Sequence, residues 1–402
     1  MKVLIVNKFL YPNGGSETYI FKLGEQLEKM GHTVQYFGME HEGRIVGNDV
    51  DAYTSNMDFH GSKLSKITYP FKIIYSFEAR RKIRMVLDSM HPDVVHLNNI
   101  NFQITPSIIY EIRAWQKRNA HNVKIVFTAH DYQWICPNHM MCKPTGEICE
   151  ACIRGEYVNC VKNNCIHGSK LRSLLGMLEG YYYKWRKTYR MVDVIIAPSQ
   201  FLFDKFSVNE QLKDKLVMMH NFLDAIPQSN DSVNEVTGPY ALYFGRYAKE
   251  KGIETLLECA KRTPNIKYVF AGNGPLEDMV NAVPNVINMG FCNGEKMRRL
   301  INDARVSIYP SEWYENCPFS VMESQMYKTP VIGSNIGGIP ELVEGGMLFE
   351  PGNADALTAA VQALMTDDRI LAQCEAGCNA VHFDTAKEYA EKLLKIYGKC
   401  DE

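Results

Sequence analysis

Residues 2–39 read KVLIVNKFLYPNGGSETYIFKLGEQLEKMGHTVQYFGM, and the organisation of the chain can be worked out from this stretch. It opens on a continuous apolar run, KVLIVN, and closes on another, TVQYFGM. Continuous rather than alternating hydrophobicity marks strands buried on both faces, the condition of a parallel sheet covered by helices. Between the two runs Ile20, Leu23, Leu27 and Met30 recur at helical spacing. Ser16 is placed to cap that helix and Gly31 to end it. Strand, helix, strand in this order is a βαβ unit.

The same pattern continues through DVVHLN, KIVFTAH, DVIIAPS and LVMMHN, with helical patterns between them. Near residue 222 it gives way to DAIPQSNDSVNEVTG, polar and without periodicity, which reads as a linker. A second series follows: YALYFGR, KYVFAGNG, NVINMGF, VSIYPS, PVIGSN and GMLFEP. The spacing predicts an α/β protein with two Rossmann-like parallel-sheet domains facing a central cleft. The domains are expected at residues 1–222 and 239–384, with a linker at 223–238. Ligands of such sheets bind beyond the carboxyl ends of the strands, which puts the expected site in the cleft.

Bulk properties agree. A chain of 402 residues exceeds what one core fills, since cores stop growing near ~250–300 residues. Hydrophobic residues at 46%, charged residues at 22% and a net charge of −2 describe a globular protein with no global attraction to nucleic acid. The amino terminus has a short apolar run and no small-residue cleavage site, so it is expected to be a buried strand of a cytoplasmic protein rather than a signal peptide.

The second series carries the chemistry. In SEWYENCPFSVMES, residues 311–324, Glu315 and Glu323 bracket Pro318. Pro318 suits the first turn of a helix and Asn316 suits its cap. The helix N-terminus then offers N–H groups and a positive dipole end to a phosphate. Arg246 and Lys251, just after the strand YALYFGR, supply cations able to neutralise a diphosphate. Gly272 and Gly274 form only a GxG in AGNGP, short of a dinucleotide fingerprint, and no P-loop is present.

GRYAKEKG, AGNGP, MGF, PSEWYENCPFSVMES and PVIGSNIGGIPELVEGG, in this order and spacing, resemble the nucleotide-sugar domain of glycosyltransferase family 4. NGGSE, TAHD, IAPSQF and MHN are similar to the acceptor-side domain, and residues 385–402 resemble the helix that returns to it. The resemblance implies a GT-B fold and a retaining glycosyltransferase using a nucleoside-diphosphate sugar of UDP or GDP type. It assigns Glu323 to the donor ribose and Glu315 to the transferred sugar. Asn316, Cys317, Pro318, Phe319 and Ser320 would lie against sugar and diphosphate, which Arg246 and Lys251 would hold. Gly14, Gly15 and Gly245 would allow close approach of the donor, and His130 would contact the sugar. Taken alone, His130 reads rather as a satisfied core histidine at a strand end, and it is the TAHD context that favours the sugar contact.

Because a diphosphate leaves well once cations and N–H groups meet its charge, no acid–base carboxylate pair and no catalytic metal is required. Asp49 and Asp51 imitate a metal-binding DxD but read as a surface loop. The expected acceptor is a saccharide or a lipid-linked saccharide of surface polysaccharide or glycolipid assembly. Other readings are an epimerase of the same fold or a non-catalytic sugar-binding protein, while a dinucleotide oxidoreductase lacks its fingerprint.

Two further segments stand out. The insert at 136–167 holds Cys136, Cys142, Cys149, Cys152, Cys160 and Cys165, with His139 and His167 nearby. Its CxxC and flanking cysteines have the spacing of a structural zinc site, buried free thiols or a labile disulfide being the alternatives. Similar cysteines in some family members favour Cys136, Cys149, Cys152 and Cys165. Residues 62–85 carry Lys63, Lys66, Lys72, Arg80, Arg81, Lys82 and Arg84 against Glu78 alone, interleaved with Ile67, Tyr69, Phe71, Ile73, Ile74, Tyr75 and Phe77. With SKLRSLLGMLEGYYYKWRKTYRM at 169–191, they suggest peripheral attachment to an anionic membrane surface.

Overall fold

The computed structural model describes residues 1–55, 73–224 and 236–398. Residues 225–235 of the expected linker therefore lie outside the described residues, as do Lys63, Lys66, Ile67, Tyr69, Phe71 and Lys72 of the basic stretch. The chain divides into two compact units, residues 1–220 with 386–402 and residues 221–385.

In the first unit each apolar run becomes a strand: β1 Lys2–Val6, β2 Thr33–Phe37, β3 Val94–Leu97, β4 Lys124–Thr128, β5 Val194–Ala197 and β6 Leu216–Met218. They pair in parallel in the order β2-β1-β3-β4-β5-β6. Helix α1, Gly15–Lys29, turns Tyr19, Ile20, Leu23 and Leu27 into the core. Burying each such side chain contributes roughly 1.5–3 kcal/mol. The closing helix, Ala386–Gly398, packs on α1, and its Tyr389 hydroxyl meets that of Tyr19 at 2.8 Å.

Ser16 does not cap α1. The cap position is Gly14, without a side-chain hydrogen bond. Inside the first turn the Ser16 hydroxyl donates to Glu17 Oε1 at 3.0 Å and accepts from Asn99 Nδ2 at 2.9 Å. The reason is tertiary, since Asn99 from the β3 loop claims the hydroxyl. A second helix, α2, Lys170–Trp185, follows the cysteine-rich insert.

The second unit repeats the plan with β7 Ala241–Phe244, β8 Tyr268–Ala271, β9 Val286–Asn288, β10 Val306–Tyr309, β11 Val331–Ser334 and β12 Gly346–Phe349. Their order is β12-β11-β10-β7-β8-β9, again parallel. Both sheets are covered by helices, so their central strands are fully buried and apolar. Helix α3, Phe319–Met326, follows β10, to which Tyr309 ties it by donating to the Ser320 carbonyl at 2.8 Å. Pro318 rather than Asn316 holds its cap position. The proline backbone is extended there (φ −69°, ψ 118°), so the helix starts too late for Asn316 to reach it.

Strand order fixes where loops meet. In the first sheet the chain winds outward from the boundary between β1 and β3, and in the second from the boundary between β10 and β7. At such a switch point the loops leaving the two strands diverge and open a crevice at their carboxyl ends.

Candidate functional site

In the second unit the switch point gathers the loops after β7 and β10. The first runs through Gly245, Arg246 and Lys251 to Gly252, and the second from Pro310 to Pro318. Glu312 N–H donates to the Glu250 carbonyl at 3.0 Å and joins them. Gly252 makes this approach possible: its φ is +69°, and a Cβ there would sit 1.8 Å from the Pro310 carbonyl oxygen. Only glycine accepts both conditions.

Glu315 is the centre of this arrangement. Its Oε1 receives Lys251 Nζ at 2.5 Å, Ser311 Oγ at 2.6 Å and Trp313 Nε1 at 2.9 Å. Burial alone would raise the carboxyl, yet Lys251, helped by the two neutral donors, holds it below its usual value. Its main-chain carbonyl accepts from Gly338 N–H at 2.8 Å, which docks the loop after β11 against it. The carboxylate is thus ionised, nearly enclosed at 12% exposure, and held in place from three directions.

Helix α3 starts four residues later, and its cap residue Pro318 gives it no side-chain hydrogen bond. Its positive end therefore stays open to an anion. Cys317 is buried just before it, its thiol pushed up to about 12 by burial, so it is no nucleophile at neutral pH. Phe319 and Ser320 form the half-buried first turn, and Glu323 lies on the next turn, also half-buried. Arg246 is more exposed than Lys251 and pairs with Glu250. Beside this loop, Gly272 follows β8 and leaves no room for a side chain, since a Cβ would lie 1.9 Å from the Gly245 carbonyl oxygen. Gly274 continues that loop, packed on the Tyr247 backbone.

The first unit has its own polar cluster at its switch point. Asn7, directly after β1, donates through Nδ2 to Glu17 Oε1 at 2.8 Å and accepts through Oδ1 from Asn99 N–H at 3.1 Å. The buried Glu17 carboxylate thereby ties the first turn of α1 to the β1 and β3 loops beside Gly14 and Gly15. His130, after β4, places Nε2 2.9 Å from Asn98 Oδ1. Asn98 Nδ2 faces two main-chain carbonyls, Val6 at 3.4 Å and His96 at 3.3 Å, so its oxygen is the atom turned to the ring. His130 Nε2 therefore carries the proton and Nδ1 is the acceptor. Burial lowers its pKa to about 3, which keeps the ring neutral.

Sequence reasoning missed Ser311, Trp313, Gly252, Asn7, Glu17, Asn98 and Asn99. The usable signal was position: each stands within a few residues of a strand's carboxyl end or of a glycine-rich turn. Asp49 and Asp51 are local, accepting from Gln35 and pairing with Arg44. The six cysteines of the insert surround one enclosed cavity, which neither His139 nor His167 lines. Among the described residues every cysteine is a free thiol. No described helix is long and apolar enough to cross a membrane.

Comparison with known proteins agrees with this geometry. Residues 13–225 match the family model described as Glycosyltransferase Family 4, and residues 226–377 the one described as Glycosyl transferases group 1. An uncharacterised 42.6 kDa protein of the cps region of Klebsiella pneumoniae is 23% identical over 365 residues, 85% of this chain and 87% of that protein. The O-antigen chain mannosyltransferase B of Escherichia coli is 29% identical over 143 residues, 32% of this chain and 37% of that one. Among solved structures, sucrose-phosphate synthase from Thermosynechococcus elongatus superposes with a TM-score of 0.67 at 18% identity, covering 98% of each chain. Anabaena HepE in complex with UDP and glucose gives 0.66 at 15% identity, covering 99% of this chain and 100% of that one.

Proposed function

The chain belongs to glycosyltransferase family 4 and has the GT-B fold, and from that premise we propose that it transfers a sugar, with retention of configuration, from a nucleoside-diphosphate sugar to a saccharide or lipid-linked acceptor. The observation that carries this reading is the Lys251–Glu315 pair beside the uncapped end of α3 at the sheet's switch point. The UDP held by the structural neighbour HepE and the cps and O-antigen relatives support a nucleotide donor and a role in polysaccharide assembly.

The chemistry follows from charge. As the bond from the sugar's anomeric carbon to the diphosphate oxygen lengthens, negative charge builds on that oxygen. Lys251, Arg246 and the N–H groups at the start of α3 stabilise it. The acceptor hydroxyl attacks from the same face, its proton passes to the departing phosphate oxygen, and configuration is retained without a glycosyl-enzyme adduct. Glu323 holds the donor ribose, Glu315 faces the sugar, and His130 Nδ1 accepts from a sugar hydroxyl. With cations supplied by side chains, turnover is expected to survive removal of divalent metal from the buffer.

Attachment to an anionic membrane is supported by α2. Leu171, Leu174, Leu178, Tyr181 and Trp185 are all exposed, Trp185 at 76%, and share one face, while Ser173, Gly176, Glu179 and Tyr183 are buried. The helix turns its apolar stripe to solvent, flanked by Lys170, Arg172, Lys184, Arg186 and Lys187. Co-sedimentation with phosphatidylserine vesicles at low salt checks this, and a protein that stays in the supernatant is not held this way.

For the reaction itself, a panel of UDP, GDP and ADP sugars incubated with the protein should identify one donor that releases nucleoside diphosphate. NMR of the product should show the donor's anomeric configuration, and an inverted product would overturn the front-face reading.

A further inference from the structure

Two cysteines of the insert have side-chain hydrogen bonds of opposite direction. Cys142 donates its thiol proton to the Lys143 carbonyl at 3.2 Å, whereas Cys149 takes the Asn163 side-chain amide at 3.9 Å. All six cysteines enclose one cavity, with Ile153 and Asn159 completing its lining.

The thiolate is the form that binds metal, and sulfurs crowded around one small enclosed space can share a single cation there. We propose that Cys136, Cys149, Cys152 and Cys165 bind one structural zinc ion in a closed tetrahedral site. Cys142, whose proton goes to the Lys143 carbonyl, and Cys160 remain thiols.

The segment has reason to need such a staple. Its own buried apolar cluster consists of Cys152, Tyr157 and Cys160, with Cys165, Ile166 and Met177 packed around it. That is too little to order some thirty residues by burial alone. Asn138 already bridges its two ends, donating to the Cys142 carbonyl at 2.6 Å and the Cys165 carbonyl at 3.1 Å. In the structure no three of these sulfurs lie within 4.8 Å of one another. A tetrahedral shell with Zn–S near ~2.3 Å sets them ~3.8 Å apart, so binding must draw the loop inward. The segment starts a turn beyond His130, with Cys136 N–H bonded to the Tyr132 carbonyl. The metal would therefore stiffen the wall beside that histidine without entering the chemistry, since a four-thiolate shell has no open position.

Metal analysis of the full chain, purified without added zinc, tests this. About one zinc per chain is expected, released by an organomercurial that titrates thiolates. Cys142→Ser and Cys160→Ser should keep the zinc, since neither supplies a ligand, whereas Cys149→Ser and Cys165→Ser should lose it. The wild-type measurement stands even if a ligand variant fails to fold. Less than about a tenth of an equivalent in the wild type, iron with inorganic sulfide in place of zinc, or full loss of zinc in both Cys142→Ser and Cys160→Ser would each overturn the proposal.

Discussion

Replacing Lys251 with methionine removes the ammonium that meets Glu315 and stands 5.2 Å from the Trp313 ring centroid, and keeps an unbranched stem. The side chain is only 26% exposed, so its charge acts through a poorly screened medium. For a unit charge ~4 Å away at an effective dielectric near 20, the interaction is about 4 kcal/mol. The diphosphate is already charged before the bond breaks and Glu315 offsets part of the field, so only the added charge counts. We expect about 2–3 kcal/mol of lost transition-state stabilisation, or roughly a 30- to 150-fold fall in kcat. Methionine also leaves the Glu315 carboxylate buried without its cation, which destabilises the fold. The double variant Lys251→Met/Glu315→Gln separates the effects: it should recover thermal stability but not turnover. The assay is nucleoside-diphosphate release at saturating donor, with melting curves on each variant. The reasoning fails if Lys251→Met, shown to be folded, turns over within about threefold of the wild type. The pH response is a second readout. In the wild type the depressed Glu315 pKa contributes stability at neutral pH that is lost as pH falls through the folded value. In Lys251→Met burial is opposed only by Ser311 and Trp313, the carboxyl rises, and stability instead declines as pH increases.

Glu323→Gln should weaken donor binding about tenfold, the worth of hydrogen bonds to a charged acceptor, and calorimetry showing normal donor affinity would remove its ribose assignment. Gly272→Ala should cost about 3 kcal/mol or more because the new methyl meets the Gly245 backbone rather than a movable side chain, and an unchanged melting temperature would contradict that packing. Glu111 is fully buried between Arg80, Arg84 and Arg118. Burial alone would raise its carboxyl, but the three guanidinium groups bring it down to about 2. Its contribution is complete above the ordinary carboxylate range and disappears as pH falls towards that value. Discounted for the partly exposed arginines, Glu111→Gln should cost about 2 kcal/mol at neutral pH, and urea titrations should show the gap closing in acid.

Most of the framework could be read along the chain. Every apolar run singled out from residue 2 to residue 349 is a strand; the central strands are apolar because they are buried on both faces, a requirement visible within five or six residues. Glu315, Lys251 and His130 were also legible, as polar residues just beyond strands. Their partners were not. Ser311 and Trp313 look like ordinary loop residues until the loop folds back on Glu315, and Asn98 matters only because His130, 32 positions away, comes to rest against it. The helix caps were misplaced at Ser16 and Asn316 for the same reason. Capping depends on the exact backbone entry and on competing partners, and both are set by distant segments.

By itself, then, the sequence determined that this protein builds two parallel sheets and which residue types stand at their strand ends, since hydrophobic periodicity and turn chemistry act over a few residues. Tertiary structure alone decided strand order, and with it the two switch points where those strand ends meet. Lys251 and Glu315, 64 residues apart, became an ion pair only because β7 and β10 are neighbours. The gathering of six cysteines, from Cys136 to Cys165, around one cavity arises the same way: packing brings together side chains that the chain keeps apart.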